Sequence, residues 1–158
     1  KMTKHIFKII ILIIFLSCSS NNTYNKYIEI ENKNWSAEKK IVFEIPELKK
    51  NKQYNYEIKL RHTTEYKYQN LYIFLNLIYK NQQETQDTIE IILAEKNGKW
   101  KGFGVGYVRE QKHKINSVID HENLKEINIE QAMRYGEQEK IDFLSDVLAV
   151  GIKINENK

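Results

Sequence analysis

Short runs in which apolar and polar side chains alternate recur along this chain, and they constrain its fold more than any other feature. Tyr54, Tyr56, Ile58 and Leu60 alternate with Asn55, Glu57, Lys59 and Arg61, the period of a strand with one buried and one wet face. Ile28 and Ile30 alternate with Glu29 and Glu31, and the apolar run from Ile41 to Ile45 is stopped by Pro46. Leu71 to Tyr79 is apolar on both faces, which predicts a strand inside a sheet. Thr88 to Ala94 follows, then Phe103, Val105 and Tyr107 alternating with Gly102, Gly104 and Gly106, then Ile127 with Ile129, and Val147 to Ile154. Lys96-Asn97-Gly98-Lys99 reads as a turn between Ala94 and Trp100. Helical periodicity is weak, with room for one short helix between Gln131 and Phe143. About eight strands in this length predict an all-β antiparallel sandwich, of which a jelly roll is one form. No internal repeat interrupts it, and residues 27–158 read as a single domain.

Composition agrees. With 41% hydrophobic and 29% charged residues, the chain is ordinary for a globular protein and unlike a disordered one. Ten tyrosines against six glycines and one proline favour strands.

The net charge of +4 invites a nucleic-acid reading until it is localised. Lys1, Lys4 and Lys8 fall in a segment, residues 1–17, that contains no Asp or Glu; without them the charge is +1. Such a domain has little electrostatic reason to bind phosphate backbones, and no nucleic-acid partner is expected. The same leader continues as an unbroken apolar run from Ile9 to Leu16. As a helix it would extend about 12 Å, against about 30 Å of hydrocarbon. A basic start, a short apolar stretch and then small polar residues form the pattern of a secretory signal.

Leu16-Ser17-Cys18-Ser19-Ser20 places the single cysteine directly after that stretch. The arrangement resembles the lipobox of bacterial lipoproteins, with Phe15 where leucine is usual. The resemblance implies cleavage between Ser17 and Cys18 and attachment of a lipid to the Cys18 thiol, which would anchor the chain to a bilayer. Two or three acyl chains, at about 0.8 kcal/mol per buried methylene, make a stable anchor. Residues 18–26 then read as the lipidated cysteine and a flexible polar tether.

Catalytic and metal sites find little support. His62, His113 and His121 lack metal-ligand spacing and have no second cysteine to join, so each reads as a solvated loop residue, with no metal and no cofactor expected. Ser36, Ser117 and Ser145 lack a nucleophile-elbow context. Asp87, Glu90, Glu130, Asp142 and Asp146 fall where solvent-facing positions are expected, although a pair of them could serve glycoside hydrolysis. The chain therefore reads as non-enzymatic. Aromatic residues give the competing reading: Trp35, Trp100 and the cluster Tyr66, Tyr68 and Tyr72 form either a surface patch for a partner or for sugar rings, or core packing. Core packing is preferred. The three alternating glycines predict close approach of another backbone, or a bend.

Several blocks resemble the GldH gliding-motility lipoproteins of Bacteroidota. They are Arg61-His62-Thr63-Thr64-Glu65-Tyr66 running on to Phe74, Asp87-Thr88 with Leu93-Ala94, Gly98-Lys99-Trp100-Lys101-Gly102-Phe103-Gly104, Ile129 to Arg134, and the ending Val150-Gly151-Ile152-Lys153-Ile154. The resemblance implies an envelope lipoprotein that serves surface gliding among other motility and secretion proteins, with Cys18 as the only site carried over. Separately, Asp87-Thr88-Ile89 fits a short Asp-Ser/Thr-apolar pattern that resembles the O-glycan acceptors of exported proteins of gliding bacteria. The lack of an acidic run after Cys18 favours a periplasm-facing position. A carbohydrate-binding lipoprotein module is the alternative.

Overall fold

The computed structural model describes residues 22–136 and 140–157. Ten strands account for most of them: β1 (Asn22–Glu29), β2 (Asn34–Ser36), β3 (Ile41–Glu44), β4 (Tyr54–Thr63), β5 (Asn70–Tyr79), β6 (Glu84–Ile92), β7 (Val108–Lys114), β8 (Leu124–Gln131), β9 (Phe143–Ser145) and β10 (Val147–Glu156). Two four-stranded antiparallel sheets, β1-β10-β4-β7 and β3-β8-β5-β6, pack as a sandwich, and β2 pairs with β9 in a small third sheet. We call the four-stranded sheets A and C.

The alternation read in the sequence sets the register. Tyr56, Ile58 and Leu60 of β4 turn inward opposite Ile154, Ile152 and Val150 of β10. In sheet C, Leu71, Ile73, Leu75 and Leu77 of β5 face Ile127 and Ile129 of β8, and all are buried. β5 lies inside its sheet, as its two-sided apolar run predicted. Each such side chain contributes roughly 1.5–3 kcal/mol by leaving water. Pro46 follows β3, and Gly98 takes φ +84° in the turn that brings Ala94 opposite Trp100.

Four expectations need correction. β1 starts at Asn22 and pairs with β10 along its whole length, so residues 22–26 are strand, not flexible tether; a terminal strand is held by main-chain pairing whatever its polarity. Ile30 lies beyond the end of β1. The stretch from Gln131 to Phe143 contains no α-helix among its described residues: the main chain leaves β8 and returns through the bond from Ile141 N–H to the Met133 carbonyl at 2.8 Å. Phe103 to Tyr107 is not a strand of either sheet but a short hairpin beside β7. Among the described residues no helix is long and apolar enough to cross a membrane.

Candidate functional site

Cys18 and the leader lie outside the described residues. The aromatic patch does not form a surface. Trp35 is 0% exposed, opposite Leu144, and its indole N–H donates to the Lys39 carbonyl at 3.1 Å. Tyr66 is 4% exposed, its hydroxyl donating to the Asn70 carbonyl at 3.2 Å; burial pushes the phenol pKa well up. Tyr68 packs edge-on against Tyr66 with centroids 5.7 Å apart, and Trp100 is partly buried with its ring 4.8 Å from His62. These rings close one end of the sandwich, because large planar side chains fill the space where strands change sheets. Tyr72 alone is exposed, on the outer face of sheet C.

His62 sits in the middle of that packing and is fully buried rather than solvated. Its Nδ1 lies 2.8 Å from the Thr63 carbonyl. A carbonyl can only accept, so Nδ1 carries the proton and Nε2 is left as a buried acceptor without a protein partner. Burial outweighs the opposing bond to Thr63 and, with a smaller contribution from Arg109, holds its pKa below the usual imidazole range. His113 is half-buried in β7 and His121 half-buried against the Tyr54 ring. His121 lies in the turn before β8, a loop as read but half-buried, whereas His62 and His113 stand on strands β4 and β7, because an apolar-facing strand position and a loop position look alike when the residue itself is polar.

The most organised polar cluster lies on the outer face of sheet A. Tyr27, Gly151, Lys59 and Lys112 stand side by side across four strands. The Tyr27 ring crosses Gly151, and its hydroxyl donates to Glu110 Oε2 at 2.7 Å. Arg61 Nε donates to the same oxygen at 2.8 Å, and its guanidinium carbon sits 3.9 Å from the Tyr27 ring centroid. Lys59 Nζ lies 4.9 Å over that ring and donates to Asn25 Oδ1 at 2.9 Å. Burial, then Glu110, pushes the Tyr27 phenol up to about 12. Burial raises the Glu110 carboxyl, but the bonds from Tyr27 and Arg61 outweigh it and hold the group below its usual value. Burial lowers Lys59. The arrangement is a stack of desolvated charges satisfied by one another.

Sheet C carries a different outer face. Register places Glu44, Glu84, Glu90, Glu126 and Glu130 there, with Asn76, Gln86 and Asn128 between them. Gln86 donates to Asn76 at 2.7 Å, and Asn76 donates to Glu130 at 3.0 Å. Two adjoining hollows of about 350 and 410 Å³ open beside Phe74, Ala132 and Arg134. Thr88 is exposed, lies mid-strand opposite Phe74 and lines the first of them.

Elsewhere the chemistry named from sequence is engaged in local contacts. Ser117 donates to Asp87, Ser145 to Asn34, and the Ser36 hydroxyl accepts from Glu38 N–H. Asp146 accepts from Thr63 at 2.8 Å, and Glu90 accepts from Asn70 at 2.6 Å. Among the described residues no group of three or more His, Cys, Asp or Glu could hold a metal ion.

These features define a β-sandwich whose distinctive chemistry is spread over its outer faces. The model of the GldH lipoprotein family matches residues 22–154, and the chain belongs to that family. It is 30% identical over 149 residues to the gliding motility lipoprotein GldH homolog of Christiangramia forsetii, covering 92% of this chain and 91% of that protein. It is 23% identical over 145 residues to gliding motility lipoprotein GldH of Flavobacterium johnsoniae, covering 91% of each. No solved structure matches.

Proposed function

We propose that this protein is a non-enzymatic component of the gliding apparatus, held to a membrane of the cell envelope through an acylated Cys18 and tethering or scaffolding other motility or secretion proteins on its periplasmic side. The observation that carries the reading is family membership over residues 22–154. The relatives are named as lipoproteins of gliding motility, and those names describe no catalytic activity. The leader supplies the means of attachment. Its lysines, apolar run and Ser17-Cys18 step immediately precede β1, so at most three residues separate the lipidated position from the sandwich. A tether that short keeps the body at the bilayer surface.

The carbohydrate reading requires Trp35, Trp100 or the Tyr66 cluster to be exposed and coplanar; Trp35 and Tyr66 are buried, Tyr68 and Trp100 pack partly buried against the core, and Tyr72 by itself makes no platform. Deleting the gene in a gliding host and filming colonies tests the main reading, with complementation by the wild-type chain or by Cys18→Ser. Spreading should be lost on deletion, restored by wild type and not by the serine variant. The wild-type protein should enter the detergent phase of a two-phase partition. Normal spreading after deletion refutes the motility role, and wild-type protein in the aqueous phase with a reactive thiol refutes the anchor.

A further inference from the structure

Three large apolar side chains stand in water on a segment with fixed main-chain geometry. Phe103 is 80%, Val105 91% and Tyr107 59% exposed. Phe103 N–H donates to the Glu110 carbonyl at 3.0 Å, and Glu110 N–H returns to Phe103 at 2.7 Å. Val108 N–H closes the turn on Val105 at 3.3 Å, and Thr64 N–H ties down the Tyr107 carbonyl at 2.8 Å. The glycines make this approach possible. A Cβ at Gly102 or Gly104 would collide with the carbonyl oxygen of Glu110 or Val108, and Gly106 turns at φ +62°. A glycine at the first central position suits a two-residue hairpin.

Cross-strand partners share a face, so Phe103, opposite Glu110, continues the outer face of sheet A. That face carries Lys59, Arg61, Lys112, Lys114 and Lys153 against Glu29, Glu57 and Glu110. The outer face of sheet C carries the five glutamates. Around the hairpin Lys96, Lys99 and Lys101 are exposed, and the Lys33 ammonium is 5.9 Å from the Tyr107 ring. The sandwich is thus polarised, with an apolar tip on its cationic side.

We propose that this side docks on an anionic lipid surface, with Phe103, Val105 and Tyr107 entering the boundary between headgroups and acyl chains, and Lys99, Lys101, Lys112 and Lys114 meeting the headgroups. Apolar rings flanked by cations are the chemistry of interfacial binding. A protein cleft could take the hairpin alone. The excess of cations across the sheet beside it calls for a partner that is extended and negative. A second copy related by a two-fold axis would set like charges face to face. β1 begins at the opposite end of sheet A, about 25 Å from the hairpin, so a chain held by residues before Asn22 and by the hairpin would lie with its strands along one bilayer.

The docking does not require acylation, so it is read in full-length Cys18→Ser protein. An environment-sensitive nitrobenzoxadiazole label is placed at Val105→Cys, and in a second sample at Val118→Cys, which is 97% exposed and lies beyond β7 at the Asn22 end. Vesicles of equal parts phosphatidylglycerol and phosphatidylcholine should blue-shift the label at 105. Adding Lys99→Glu and Lys101→Glu should weaken that partition about tenfold or more. Binding through the leader alone would move the label at 118 and leave 105 unchanged, overturning the proposal while the Cys18 reading stands. A shift at 105 that appears without vesicles as protein concentration rises would mean a second copy fills the site, and would also overturn it.

Discussion

Replacing Gly151 by alanine puts a methyl group 2.7 Å from Cδ1 and 2.9 Å from Cε1 of Tyr27, with the Lys26 carbonyl oxygen at 3.0 Å. The carbonyl belongs to the β1–β10 ladder and cannot retreat, so the ring must. A displaced ring gives up the 2.7 Å bond to Glu110 and its contacts with Arg61 and Lys59. Overpacking costs about 1–3 kcal/mol. The lost bond to a charged acceptor adds about 1.5 kcal/mol, and the cation–π contacts about 0.5–1 kcal/mol at a half-exposed site. Alanine recovers about 0.4–1 kcal/mol by restricting the unfolded chain. The net expectation is a loss of about 3 kcal/mol, or roughly 6–12 °C in midpoint for a chain of this length.

Urea unfolding of wild type, Gly151→Ala, Tyr27→Ala and the double variant measures this as a cycle. Once Tyr27 is truncated, the added methyl meets no ring, so alanine at 151 should cost less than about 1 kcal/mol in that background. Equal costs of Gly151→Ala in both backgrounds would refute the steric argument. So would a Gly151→Ala single variant within about 0.5 kcal/mol of wild type.

Three further outcomes follow from the packing. His62 is held neutral in the folded state, so as pH falls below about 6.5 the unfolded chain gains a proton that the folded chain resists. Stability should fall by up to about 1.4 kcal/mol per pH unit until the depressed folded value is reached, with His113, also lowered by burial, adding in the same direction; a slope between pH 7 and 5 unchanged in His62→Phe would contradict this. Trp35→Ala should lose about 3–5 kcal/mol, read as a lowered denaturant midpoint, because it empties a fully buried site and strips the Lys39 carbonyl of its donor. Glu110→Gln should destabilise at pH 7 and converge with wild type in acid, because the depressed carboxyl stabilises only above its folded pKa; a constant difference at every pH would show that charge is not what Glu110 contributes.

Much of the sandwich was legible because burial on one face leaves a period of two. β4 and β8 carry that mark, β5 and β10 show the longer apolar runs of interior strands, and Pro46 and Gly98 punctuate where the chain turns. The start of β1 was not legible, since Asn22 to Lys26 has almost no apolar content. Those residues are strand because the ladder with β10 satisfies their main chain, and side-chain hydrophobicity carries no record of that. The stretch after β8 misled in the other sense: Met133 and Ile141 pack inward from an irregular backbone, which imitates the spacing of a short helix.

The outer faces show where reading by type fails. The polar positions of β4 predicted a wet face, yet Lys59 is buried and Arg61 half-buried there, because a tyrosine two strands away lies over a glycine to reach them. One missing side chain, at Gly151, creates that reach, and a glycine inside a strand signals close approach without naming what approaches. The alternating glycines before Tyr107 signal close approach of another backbone or a bend, and Gly102 and Gly104 lie against the carbonyls of Glu110 and Val108 while Gly106 makes the turn. The residues between them were then expected to pack as a strand, because Phe103, Val105 and Tyr107 have the composition of one. With the glycines turned against β7, their side chains have no core to enter. The same alternation that buries β4 therefore exposes this hairpin, and only the pairing partner distinguishes the two.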